Sequence, residues 1–278
     1  MERTKMSVQD YRETEGILVH LQTINKVFLV FECVSLVLIY LAMIGSYLDN
    51  ELCEDILGFL SKHDTILMVL GVGIAIVTIL YYVFLMKIPF HGTDFLLAGI
   101  VGFVGLLYEG KNSTTVSGSS GSSLTSAVTA ALVSVAIIFI FRKLYCDAMC
   151  KMTEDVPGRA GKAWEGLWSL SRISCIISAI LIIVLKFYAQ GLYNSLDRWS
   201  NDYESAYTTF MISAVVIAAA SIVIEIILRV REISCLKITH EEVYSKRNSI
   251  QSPGDYSRPS GTTRQSDMMR QYDMPEDM

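Results

Sequence analysis

Three carboxylates stand where a bilayer would give them chemistry. Glu32 lies five residues inside the apolar run 27–48, Glu225 three residues before the end of the run 207–228, and Asp94 directly before the run 95–108. An ionised carboxylate in hydrocarbon is costly unless it is paired, hydrated or protonated, so such groups are candidates for holding a cation or exchanging a proton. Arg229 follows Glu225 by four residues, the favourable order for a helical ion pair, and local pairing or snorkelling is the plainer account of Glu225. Glu32 has no cation at helical spacing within its own run. Glu32, Asp94 and Glu225 share a depth near the same membrane face, and the expectation is that they converge on one inward-facing candidate cation or proton site. Lys186, within the run 173–190, is expected to snorkel to the opposite face.

The remaining reactive residue types do not assemble into a recognisable site. Cys146 and Cys150 have the look of half a metal site, but no neighbouring histidine or second cysteine pair completes it. Cys53 is the one thiol on the expected outer side, which leaves no intrachain disulfide there. The glycines at 158 and 161 lack phosphate-loop spacing, and Ala163 follows Lys162 where a hydroxyl would be needed for magnesium. His240-Glu241-Glu242 lacks a second histidine for zinc, and no Gly-x-Ser-x-Gly pentad occurs. The chain is therefore expected not to be an enzyme and to carry neither cofactor nor metal.

The elements that must position the three carboxylates are legible in where charge is missing. The chain has 278 residues, 52% hydrophobic and 18% charged, with a mean hydropathy of +0.42, a balance foreign to a water-soluble domain. Asp64 and Lys87 enclose 22 uncharged residues, Lys111 and Arg142 enclose 30, and Glu204 and Glu225 enclose 20. Apolar runs at 27–48, 65–86, 95–108, 124–141, 173–190 and 207–228 are each expected to be membrane-spanning helices, since isolated strands would leave amides unpaired in lipid. The third is short, reaching only about 21 Å at helical rise, and would extend back through Ile88 and Phe90 or rely on local thinning of the bilayer.

Charge bias decides whether that third run crosses. If it does, 19 of the 23 Lys and Arg residues fall on one side, the positive-inside pattern with both termini cytoplasmic. If it were re-entrant, the cation-rich 142–172 loop would move outside. The expected fold is thus all-α: a polytopic six-helix transmembrane bundle in a cell or cytoplasmic membrane. Around the membrane domain, 27–230, the expected parts are a cytoplasmic amphipathic segment at 1–26, lying on the membrane surface or packed on the inner loop, a juxtamembrane helix extension at 231–244 and a disordered tail at 245–278. The N-terminus has neither the basic start nor the early apolar stretch of a cleaved leader, so the first run is expected to be retained.

Finer features follow. The Ser, Thr and Gly-rich stretch 111–126 is expected to be a flexible tether, with a sequon at Asn112. Trp164 and Trp168 are expected at the headgroup boundary. Small residues at Ala98, Gly102 and Gly105, at Ala127, Ala131 and Ser134, at Ser174 and Ser178, and at Ala214, Ala218 and Ser221 are expected to mark helix contacts. The segments 25–88 and 171–233 share a span, acidic loop, span plan that hints at a duplicated hairpin.

A net charge of −5 gives no basic face for nucleic acid. The partners expected are the lipid bilayer and, beyond it, a second copy or a separate membrane or energy-coupling subunit. Two functions remain open from sequence: a permease-like transport component, or a membrane scaffold, assembly factor or sensor acting through its inner loop and tail.

Overall fold

The computed structural model describes residues 7–48, 64–89, 92–115, 122–154, 158–194 and 201–251, and among them every regular element is an α-helix. The helices are α1 (Val8–Leu48), α2 (Asp64–Met86), α3 (Gly92–Thr115), α4 (Ser122–Glu154), α5 (Ala160–Asn194) and α6 (Asn201–Gln251). Four contain apolar stretches long enough to cross a membrane: Val8–Leu41, Thr129–Glu154, Ala160–Phe187 and Ile212–Gln251. Shorter apolar stretches lie at Gly71–Met86 and Thr93–Tyr108. A chain of this kind is a membrane protein, with its helices in contact with lipid.

Local chemistry sets several helix ends. At the start of α1 the Ser7 hydroxyl accepts from the Asp10 amide at 3.1 Å while the Asp10 carboxylate accepts from the Ser7 amide at 2.8 Å, a reciprocal cap for two otherwise orphan donors. At the end of α2 the chain tightens into three-residue turns, Lys87 to Phe84 and Ile88 to Leu85, and then meets Pro89, which cannot continue a helix.

The N-terminal segment is not a separate surface helix. It runs without a break into the first apolar run, giving α1 41 residues, because no glycine or proline interrupts 17–44 and Tyr11, Leu18 and Leu21 bury themselves in the common core. At the other end, α6 continues through 231–244 to Gln251 as one helix of 51 residues, about 75 Å long at ordinary rise. Residues 245–251, expected in the tail, are helical, and 252–278 lie outside the described residues. The third apolar run is longer than its charge-free part suggests, with α3 taking in Gly92 to Thr115, 24 residues. The tether correspondingly shrinks: 111–115 end α3, 122–126 begin α4, and 116–121 lie outside the described residues, as does Cys53.

Each helix packs mainly on its neighbours in sequence, and α1 closes on α6, so the order α1-α2-α3-α4-α5-α6 forms a ring. The core is not at the middle of the helices. Buried side chains gather where α1 begins and α6 ends: Leu18 and Leu21 of α1, Leu85 of α2, Phe95 of α3, Tyr145 and Met149 of α4, Trp164 and Leu167 of α5, Leu236 and Val243 of α6. Toward the other end the same helices expose Val30, Val37, Ile76, Ile180 and Val216. Such exposed apolar side chains suit contact with lipid.

Trp164 belongs to this core rather than to an interfacial belt. It is fully buried, its indole N–H donates to the Thr239 hydroxyl at 2.8 Å, and its ring meets Tyr145 edge-on, the usual arrangement when tryptophan is taken from water. Small residues act where the helices come closest. A Cβ on Gly102 would fall 2.2 Å from the Tyr82 ring, so only glycine lets α3 accept that side chain of α2. Ala98 is buried, while Ala218 of α6 is exposed.

One distant carboxylate caps α5. Glu242 of α6 accepts from the amides of Arg159 and Ala160, at the positive end of the α5 dipole. Gly158 makes room for it, since a Cβ there would lie 2.0 Å from Glu242 Oε1. Gly158→Ala and Glu242→Ala should therefore each cost about 1–2 kcal/mol, the worth of a good helix cap. The double variant should be no worse than the poorer single, because both break one contact. Thermal unfolding in detergent measures all three, and strictly additive losses would separate Gly158 from the cap.

Candidate functional site

Polar residues at seven-residue spacing share a face on both helices that close the ring. On α1 these are Asn25 and Glu32; on α6, Glu225, Arg229 and Glu232 fall at i, i+4 and i+7. α1 and α6 run antiparallel, so the two faces meet, and α4 brings Arg142 and α2 brings Tyr81 to the same depth.

Arg229 is the hub. Its guanidinium donates to Asn25 Oδ1 at 2.7 Å, to Glu32 Oε1 at 3.2 Å and to Glu225 Oε1 at 3.2 Å, lies 3.6 Å from Glu232 Oε2, and rests on the Phe28 ring, 4.9 Å from its centroid. Arg142, buried on α4, pairs closely with Glu225 and lies 3.8 Å from Glu232. Glu232 is 2% exposed; its Oε1 accepts from Asn25 Nδ2 at 3.1 Å and from the Tyr81 hydroxyl at 2.8 Å. The planar guanidinium fork suits such multiple pairing, and arginine stays charged in it.

Three carboxylates thus face two guanidiniums, leaving one negative charge in excess. The carboxylates are not equivalent. Glu232 has partners on both oxygens, Glu32 uses Oε1 and keeps Oε2 buried without a hydrogen-bond partner, and Glu225 gives Oε1 to both arginines while its side chain remains about one-third exposed. Below this cluster, the α1–α6 seam is tied again by Glu15, which pairs with Arg247 and lies 3.7 Å from His240 Nε2.

A cavity of about 280 Å³ opens beside the cluster, with walls from α1, α2, α3, α4 and α6. Its polar end is Arg142, Glu225, Arg229 and Glu232. The rest is mainly apolar and aromatic, including Phe28, Ile74, Tyr82, Ile137 and Phe141, and Gly102 and Gly105 also line it. Tyr81 sits among Phe28, Tyr82, Phe141 and Tyr145 in edge-on contacts of 5.5–6.5 Å between ring centres.

Of the three carboxylates singled out in the sequence, the structure brings Glu32 and Glu225 together through Arg229 and leaves Asp94 out. Asp94 pairs instead with Lys151 at 2.8 Å, across α3 and α4. Glu32 touches the cluster but does not line the cavity. Its missing cation is supplied by another helix, which spacing within α1 cannot reveal. Asn25, Tyr81, Arg142 and Glu232 were not singled out; the seven-residue spacing of polar groups on α1 and α6 is the signal that marks two of them. Comparisons with protein-family models, with curated proteins and with solved structures give no significant match.

Removing the hub leaves buried carboxylates uncompensated. Arg229→Gln should therefore destabilise the protein by about 3–5 kcal/mol. Asp94→Asn, which breaks a half-exposed pair, should cost less than about 1 kcal/mol. Unfolding midpoints of the two purified variants make the comparison.

Proposed function

We propose that this protein is a six-span membrane protein with both termini cytoplasmic, acting as a permease-like transport component whose ring of helices forms an inward-facing vestibule for a cation or proton. The observation that carries the reading is the cavity shared by five helices that ends on a cluster with one excess negative charge. Intramembrane ionisable groups facing a bundle interior are the usual markers of ion and proton paths. The six-span topology draws support from the cation bias and from the 24 residues of α3, about 36 Å of helix against a hydrocarbon core of about 30 Å.

A second reading has its own support. The packed core lies at the end where α1 begins and α6 ends, so a helical platform there can serve as a scaffold or sensor surface without any flux. No observation favours catalysis.

Two measurements test these proposals. Single cysteines placed near residues 4, 90, 156 and 255 should label only from the cytoplasmic side, and those near 55, 118 and 198 only from the outside; labelling of 156 from outside overturns the six-span topology. Liposomes holding the protein should pass protons, inorganic cations or organic ammonium ions faster than empty ones. Glu225→Gln should lower that flux at least ~10-fold, which corresponds to about 1.4 kcal/mol, while Asp94→Asn leaves it unchanged. Absence of flux for every cation, together with a cellular phenotype lost on truncation after Gln251, would establish the scaffold reading instead.

A further inference from the structure

We propose that the cavity binds a small organic monocation, an ammonium group on the Glu225 carboxylate with an apolar body against the aromatic wall. The inference deepens the transport reading and rests on it for the vestibule's role, but the binding site stands on its own geometry. Charge, donor number and wall chemistry narrow the ligand in turn.

The cavity is lined by Glu225 and Glu232 against Arg142 and Arg229, and Glu32 behind Arg229 adds a third carboxylate to the cluster, so a single positive charge is favoured over an anion beside Glu225. An anion is disfavoured, since both guanidiniums are already engaged by carboxylates. Glu225 is the one carboxylate of the three that both lines the cavity and keeps substantial exposure, with Oε2 outside the arginine contacts. Glu232 is saturated, and Glu32 does not line the cavity.

A compact inorganic ion finds too few oxygens. Hard cations take about six or more oxygen ligands, and the polar end of this cavity offers one available carboxylate flanked by two guanidiniums. A proton needs no space, yet about 280 Å³ lies open beside Glu225, just under the ~300–1,000 Å³ of small-molecule sites. That space is walled by Phe141, Tyr82, Ile74 and Ile137, surfaces that reward an apolar body and, at the ring faces, a cation. An ammonium on a short apolar arm satisfies all three conditions. The same group can come from a free amine or from the headgroup of an ethanolamine phospholipid, whose chemistry at the site is shared.

The test uses the full-length protein, delipidated in detergent and in phosphatidylglycerol nanodiscs, with benzylammonium as probe and benzyl alcohol, benzoate and sodium as controls. Benzylammonium should raise the unfolding midpoint saturably and titrate calorimetrically, and the three controls should do neither. Glu225→Gln, which removes the charge, and Thr78→Phe, which fills the cavity without touching an ion pair, should each weaken binding at least ~10-fold. Thr78 lines the cavity and bonds only its own helix, to the Ile74 carbonyl at 2.8 Å, so a well-folded Thr78→Phe keeps the test decisive if Glu225→Gln does not fold.

Equal binding of benzyl alcohol, or ammonium binding indifferent to both variants, overturns the site. Nanodiscs of phosphatidylethanolamine separate the sources: loss of the benzylammonium response there assigns the site to the lipid headgroup, and an unchanged response assigns it to a free amine. Ammonium binding with no flux of any cation overturns the transport reading alone; proton or sodium flux with no ammonium binding overturns this inference alone.

Discussion

Two guanidiniums withdrawn from water set the terms for everything around them. A buried charge is tolerated only with a counter-charge and hydrogen bonds in place, and leaving either arginine unpaired costs several kcal/mol. Arg229 therefore requires Glu32 and Asn25 of α1 at its own level, and Arg142 of α4 requires Glu225 and Glu232. Tyr81 of α2 completes the set through Glu232. Four helices are held in one relative register by these demands. A slide of one turn, about 5.4 Å, would break several pairs at once, so the network acts against misregister more than it adds net stability.

Around that fixed level the described parts of the helices differ in how they pack. Toward the end where α1 begins and α6 ends, the side chains interlock around Trp164, Tyr145 and Leu236, burying apolar surface against one another. Toward the other end, the described valines and isoleucines face outward, a surface suited to contact with lipid. Inside the ring a cavity opens beside the ion pairs, and Tyr82 and Ile137 close in on Gly102 and Gly105 of α3. The cavity is thus apolar along most of its wall and polar where the ion pairs draw the helices together. Glu242 extends the same economy of distant contacts to the start of α5, where its carboxylate occupies the space that Gly158 leaves free.

Legibility differed by residue for physical reasons. The apolar runs of α1, α4, α5 and α6 declare themselves, as does the charge-free run of α2, since a bilayer needs long charge-free helices. The continuity of α1 from Val8 was harder to read, because its first turns alternate charge with core residues as any amphipathic helix does, and only burial of Leu18 and Leu21 among the other helices distinguishes a docked helix from a surface one. Asp94 and Glu32 looked alike in sequence, each a carboxylate without a local cation. One takes Lys151 and the other Arg229, and both partners lie on other helices.

By itself the amino-acid sequence determined the class of protein, the helical periodicity and the ends at which charge is admitted, because these follow from a solvent's demand on each segment taken alone. It also placed Glu225 and Arg229 one turn apart, a contact internal to one helix. Only the tertiary structure decided that Glu32 is paired, that Asp94 stands apart, that Trp164 is core, and that five helices share a cavity that ends on the ion-pair cluster. Those outcomes depend on which faces meet across the ring, and a pairing between residues some 200 positions apart, such as Asn25 with Glu232, is a property of the closed ring and of no single segment.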